Sequence, residues 1–187
     1  MGRRVFEHIV GSHAALTLLG IKPGSLVSFK KSDFDDFDFL LSSYRRCFAC
    51  KGISVCILSE NKEYAHIFLY RRSLLEEALK NEIAREILLS LGYPQNIFLS
   101  LAYLKRRYSK DGAFPHEIGL FLGYPPEDVK GFIENKGRNF LLCAYWKVYV
   151  NEQEAKKIFE KYASCAKKFC DELSGGASIL DLSVKAC

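Results

Sequence analysis

The sequence contains none of the short motifs that identify several large enzyme classes. Its 187 residues lack the phosphate-binding patterns GxGxxG and GxxxxGK(S/T), the zinc-protease pattern HExxH and the nucleophile pattern GxSxG. Their absence disfavours nucleotide hydrolysis, Rossmann dinucleotide binding, zincin catalysis and α/β-hydrolase catalysis. It leaves flavin, haem or iron binding on another scaffold open, so the sequence predicts no particular cofactor.

The sequence also lacks an apolar run of the roughly 18–20 residues that a membrane span requires, so we expect no membrane association. Its first twenty residues resemble a basic segment followed by an apolar one, but Glu7, His8 and His13 interrupt the apolar part. We therefore expect no signal peptide, and Phe6 stands where myristoylation would favour Ser or Thr. Seven cysteines without a signal peptide indicate reduced thiols and a cytoplasmic location.

The composition is that of an ordinary globular protein. An apolar fraction of 49% and a charged fraction of 26% fit one well-buried core in a chain of this length. The formal charge of +5 is compatible with an anionic partner but does not require one.

Hydrophobic periodicity and turn residues predict a mixture of helices and strands without regular alternation. We expect helices over 3–19, 33–48, 74–92, 96–109 and 151–174, and strands over 25–30, 53–60, 64–71 and 139–150. Ser73 is predicted to cap the third helix together with Glu76, and the second and third strands are predicted to pair antiparallel. The fold class is therefore α+β: a single domain over residues 1–187, with a small mixed or antiparallel sheet covered by several helices.

The stretch FPHEIGLFLGYPPEDVKGFIENKG, residues 114–137, is the richest in chemistry. It can be a helical corner only, with Gly123 ending one short helix and a proline beginning the next beside acidic residues. It can also be a site, because His116 moves protons near neutral pH and Tyr124 lies at the turn. His116 and Glu117 are adjacent in sequence, so on a helix they would not face each other as an acid–base pair.

Two short helices around a glycine turn also match the outline of a helix-turn-helix DNA reader. The second helix, PEDVKGFIENKG, has an acidic first turn, whereas a recognition helix presents Arg, Asn or Gln to bases and positive charge to phosphates. The sequence therefore argues against nucleic acid as a partner.

Residues 114–137, together with YWKVYVNEQEAKKIFEKY, SHAALTLLGIKPGSLVSF and IFLYRRSLLEEAL, resemble the family called domain of unknown function 3793. The resemblance covers nearly the whole chain and implies a bacterial protein, typical of clostridial anaerobes, without an established reaction. It also implies a role in metal or redox homeostasis.

The polar and aromatic residues on the family pattern are the ligand-binding candidates. They are His13, Lys22, Tyr70, Arg71, His116, Tyr124, Asp128, Trp146 and Lys147. Ala14 stands where the family pattern has a cysteine, so a thiol role at that position is in doubt.

Other candidates follow from residue chemistry. His116, Glu117 and Lys147 are the catalytic candidates, although no reaction is assigned. Cys47 and Cys50 have the CxxC spacing of a redox or zinc half-site. Because no second pair has matching spacing, we predict no metal site and treat them as ordinary thiols.

Three functional hypotheses remain. The first is binding of a small molecule or cofactor in an aromatic and histidine-lined pocket, which predicts that His116, Tyr124 and Trp146 share one cavity. The second is a non-enzymatic protein–protein interaction module, which predicts that they lie on a flat apolar patch. The third is an enzyme using His116 as general acid or base, with Lys147 or Arg71 holding an anionic substrate.

Overall fold

The computed structural model of the chain describes residues 2–110 and 114–184. The chain divides into two compact units: Met1–Leu74 with Ser164–Cys187, and Leu75–Ala163. The prediction of one domain over residues 1–187 stays a prediction.

The first unit is built around a three-stranded antiparallel sheet. Its elements are α1 (Gly2–Leu18), β1 (Gly24–Lys30), α2 (Phe37–Ala49), β2 (Ser54–Glu60), β3 (Tyr64–Tyr70) and α9 (Ile179–Leu182), with a single 3₁₀ turn at Lys31–Asp33. The strand order is β1-β3-β2, so β3 is central and pairs antiparallel on both sides. The predicted pairing of the second and third strands is confirmed.

The period-two alternation of β3 places one set of side chains in the core of this unit. Ala65, Ile67 and Leu69 join the buried cluster that also contains Phe6 and Phe29, whose rings stack with centroids 5.0 Å apart. Each fully buried aromatic or branched side chain stabilises the unit by about 1.5–3 kcal/mol. The sheet is therefore held by the apolar pattern that predicted it.

The second unit contains mostly helices. Its elements are α4 (Glu82–Ser90), α5 (Ile97–Lys110), α6 (Ile118–Phe121), α7 (Pro126–Glu134), β4 (Leu142–Cys143) and β5 (Lys147–Val148), and it shares α3 (Arg72–Ala78) and α8 (Glu152–Ser174) with the first unit along the chain. Asn96 caps α5 and Asn151 caps α8 through side-chain oxygens that accept backbone N–H groups. The strands β4 and β5 form a two-stranded antiparallel hairpin.

Two predictions of local structure are wrong. The helix expected over 74–92 is interrupted, because the side chain of Asn81 accepts hydrogen bonds from the N–H groups of Ile83 and Ala84 and starts a new helix there. Ser73 lies inside α3, which begins at Arg72, and so is not its N-cap.

The strand expected over 139–150 is also much shorter than predicted. Only Leu142–Cys143 and Lys147–Val148 pair, joined by a tight turn. The N–H groups of Tyr149 and Val150 donate to the carboxylate of Asp128 instead of extending the ladder. A tertiary hydrogen bond therefore ends the hairpin.

The α+β class is confirmed, with helices and a small antiparallel sheet as expected. Within the described ranges, no helix combines the length and apolar character needed to cross a membrane.

Candidate functional site

A pocket of about 420 Å³ opens in the second unit beside α6, α7 and the β4–β5 hairpin. Its lining includes His116, Tyr124, Phe132, Cys143, Trp146 and Lys147. Most of the remaining lining is apolar, and the volume lies within the range of about 300–1,000 Å³ that is usual for small-molecule sites. The expectation that His116, Tyr124 and Trp146 share one cavity is met.

The helical corner between α6 and α7 shapes one side of this pocket. Gly123 adopts φ +76°, a left-handed conformation that ends α6, and the N–H of Tyr124 donates to the carbonyl of Gly119 at 2.9 Å. A Cβ at Gly119 would lie 2.9 Å from Cγ2 of Val129, so only glycine permits this approach of the two helices. Pro126 then starts α7 at its first turn.

Asp128 ties α7 to the hairpin. It is 5% exposed, and its Oδ2 accepts from the indole Nε1–H of Trp146 at 2.7 Å. Its Oδ1 accepts from the backbone N–H groups of Tyr149 at 2.7 Å and Val150 at 3.1 Å. Both carboxylate oxygens are thus engaged by the protein, and Asp128 positions the pocket wall.

Trp146 is held from several directions. Its ring stacks on Tyr124 with centroids 5.5 Å apart and meets the edge of Phe159 at 4.5 Å. The hydrogen bond to Asp128 fixes the rotation of the indole. One face of the pocket is therefore an ordered aromatic surface, and burial raises the pKa of the Tyr124 phenol.

Lys147 holds the loop between α7 and the hairpin. Its Nζ donates to the carbonyl of Gly137 at 2.8 Å and lies 5.6 Å and 4.8 Å from the ring centroids of Phe132 and Phe140. Lys136 in this loop has a φ of +52°, which costs a non-glycine residue free energy. The ammonium group is thus placed by two aromatic rings and one carbonyl.

His116 and Glu117 are separated as the helical geometry predicts. His116 is exposed and its ring packs against Phe132, with centroids 4.9 Å apart. Over residues 2–110 and 114–184, no hydrogen-bond partner of the His116 ring is found. Glu117 is buried, and its Oε1 accepts from Tyr93 at 2.7 Å and from Arg107 at 2.5 Å.

Glu117 therefore joins Tyr93 and Arg107 through hydrogen bonds of its buried carboxylate within the second unit. Burial, together with the hydrogen bond to Glu117, raises the pKa of Tyr93. His116 and Glu117 form no acid–base pair in this structure.

The remaining ligand-binding candidates lie in the first unit and are not part of the pocket lining. Arg71 is 4% exposed, and its guanidinium donates to the carbonyls of Thr17, Leu18, Lys51 and Val184 at 2.6–3.0 Å. Two of these carbonyls end α1, where a cation is favourable for the helix dipole. Arg71 is therefore a cross-link between backbone segments, and burial lowers its pKa.

His13, Lys22 and Tyr70 have different surroundings. His13 is exposed on α1, whereas Lys22 is 8% exposed and burial lowers its pKa to about 8. Tyr70 is buried at the end of β3, stacks on Phe68, and has a raised pKa because of burial.

Cys47 and Cys50 lie at the end of α2 with exposed thiols. The described part of the chain contains no group of three or more His, Cys, Asp or Glu side chains that could hold a metal ion.

Several lining residues were not singled out from the sequence. Phe132 lies on α7 outside the candidate residues, and Cys143 and Ala144 belong to the stretch that the sequence predicts only as a strand. The pocket collects them because the chain turns back at 144–146 and Asp128 draws the hairpin onto α7. No short-range pattern in the sequence signals that arrangement.

The fold and pocket together define a small α+β protein with an aromatic-walled cavity. The profile of the family described as protein of unknown function DUF3793 matches residues 10–183. The chain belongs to this family, as the resemblance in its sequence indicated. No curated protein and no solved structure matches the chain.

Proposed function

We propose that the pocket of the second unit binds a small molecule or cofactor. The observation that carries the proposal is that His116, Tyr124 and Trp146 line one cavity of about 420 Å³. An apolar, ring-rich cavity with a few polar groups is the usual form of a small-molecule site. A flat docking patch would not enclose such a volume.

The proposal is tested by equilibrium dialysis against the small-molecule fraction of a cell extract, followed by mass spectrometry of the retained compounds. Ala144 is exposed and lies in the pocket lining, so Ala144→Phe adds a bulky ring at the cavity with little effect on the core. Ala49→Phe, at an exposed position of α2, is the matched control. We expect wild type and Ala49→Phe to retain a compound that Ala144→Phe does not.

Equal retention by all three proteins would contradict the proposal, and so would retention by none. A pocket that retains nothing would favour the second hypothesis, a protein–protein interaction module. The enzyme hypothesis has less support, because His116 contacts no acid–base partner in the described residues. Metal or redox homeostasis, a cytoplasmic location and a bacterial anaerobic source stay predictions.

A further inference from the structure

The charged and imidazole side chains of the pocket lining offer a ligand hydrogen-bond donors and, among the described residues, no remaining carboxylate acceptor. Asp128 is the acidic residue of the lining, and both of its oxygens already accept hydrogen bonds from the protein. Lys147 has three N–H donors, of which one donates to Gly137 within the described part of the structure. His116 is exposed in the same pocket lining, with its ring against Phe132, and its imidazole can donate a hydrogen bond.

Lys147 is also held in place before any ligand binds. The rings of Phe132 and Phe140 and the carbonyl of Gly137 contact its ammonium group. A cation already fixed in position loses little side-chain entropy when it pairs with an anion, so less of the interaction energy is offset. Hydrogen bonds from such a cation to an anionic oxygen are among the stronger ones in proteins.

The apolar part of the lining favours flat groups. Trp146 and Tyr124 form one stacked pair, and His116 and Phe132 form another tilted pair. Aromatic molecules gain offset-stacked or edge-to-face contacts with such rings beyond simple burial. A saturated ligand of equal size would gain the burial alone.

Building on the proposed function, we infer that the pocket takes a flat aromatic molecule that carries an anionic group, with Lys147 binding the anion and the rings binding the aromatic body. His116 supplies a second hydrogen bond to the anion. Lys147 is thus a ligand-binding residue as well as the support of its loop.

Three probes of similar size separate the parts of this inference. Naphthalene-2-carboxylate is flat and anionic, naphthalene-2-carboxamide is flat and neutral, and decahydronaphthalene-2-carboxylate is anionic and saturated. Trp146 is the single tryptophan of the chain, so its indole N–H gives one NMR signal inside the pocket. Titration of that signal yields the dissociation constant of each probe.

We expect the aromatic carboxylate to bind about tenfold or more tightly than the amide, the effect of one charge-assisted hydrogen bond. We also expect it to bind severalfold more tightly than the saturated acid. Lys147→Met keeps an apolar side chain beside the two phenylalanines and should lower the carboxylate-to-amide ratio by about tenfold, leaving only the preference that His116 supplies. Lys130→Met removes the same charge from an exposed position on α7 and should leave the ratio unchanged.

Each failure has a distinct meaning. Equal binding of carboxylate and amide, or a ratio that Lys147→Met does not change, overturns the anion part, while the dialysis experiment can still support a pocket. Equal binding of the aromatic and saturated acids overturns the aromatic part. If no probe moves the Trp146 signal although dialysis retains a compound, the inference is wrong and the proposed function stands.

Lys147→Met could also disturb the loop. In that case the salt dependence of the wild-type protein gives an independent test, because added salt should weaken the carboxylate and leave the amide unchanged. Equal salt dependence of the two probes overturns the inference.

Discussion

Replacing Asp128 with alanine should destabilise the second unit, because the carboxylate joins α7 to the hairpin. Three N–H donors lose their acceptor: the indole of Trp146 and the backbone groups of Tyr149 and Val150. Trp146 is buried and Tyr149 is half-buried, so water does not fully replace the lost bonds. Val150 is exposed, and its N–H can be hydrated.

The expected size follows from these surroundings. A buried donor left without an acceptor costs about 1–3 kcal/mol, and two such donors suggest a loss of about 2–5 kcal/mol in the free energy of unfolding. Asp128→Asn should cost less, about 1–3 kcal/mol, because one oxygen can still accept the backbone N–H groups while its NH₂ faces the Trp146 donor.

Urea denaturation followed by the fluorescence of Trp146 measures this loss in the unit concerned. Glu127→Ala is the matched control, because Glu127 is an exposed acid in the same first turn of α7. Its loss should cost no more than about 1 kcal/mol through the helix dipole. If Asp128→Ala and Glu127→Ala destabilise equally, the hydrogen bonds of Asp128 do not support the pocket wall and the reasoning is refuted.

Three further predictions concern two buried cationic side chains and one helix glycine in close contact with an aromatic ring. Arg71→Met should lower the free energy of unfolding by about 3 kcal/mol or more, since buried carbonyls lose a charged donor, whereas Arg4→Met, at an exposed position of α1, should cost little; equal urea midpoints would contradict this. The folded-state pKa of Lys22 is about 8, below the usual 10.5, so the unfolded chain binds more protons between these values and wild-type stability should rise with pH there. From pH 8 to 9.5, the unfolding free energy of wild type should therefore rise by about 1–2 kcal/mol relative to that of Lys22→Met, and a pH-independent difference would refute this prediction. Gly131→Ala places a Cβ 2.6 Å from the ring of Tyr149 and should destabilise by about 1–3 kcal/mol, whereas a stabilised variant with a higher melting temperature would show that this helix position has room.

The sequence predicts the elements whose signal is local. The strands of the first unit follow from period-two alternation, and α8 follows from its cap at Asn151 and its stop after Ser174. The corner at Gly123 follows from the left-handed residue and the prolines beside it. In each case the residues that decide the structure are within a turn or two of one another.

The predictions that fail depend on contacts between distant residues. The strand over 139–150 is reduced to two short pairs because Asp128, some twenty positions earlier, draws away the N–H groups that would extend it. From the sequence, Asp128 can be assigned to the helix dipole or to a ligand, and both are reasonable for an acid in a first helical turn. Its hydrogen bonds to the hairpin appear only in the tertiary structure.

Contacts between distant residues also decide which candidate residues can bind a ligand. Arg71 and Asp128 carry charges that would suit a ligand, but each charge is satisfied by backbone or indole groups of the protein. The family pattern contains both residues that support the fold and residues that contact a ligand, because losing either kind would damage the site. The pattern alone therefore does not separate the two kinds. Hydrogen-bond capacity separates them: a side chain whose donors or acceptors are already engaged shapes the pocket, and one with donors remaining can bind what enters it. By that criterion, His116 and Lys147 are the residues of the family pattern whose polar groups would bind a ligand, while the rings of Tyr124 and Trp146 would pack against it.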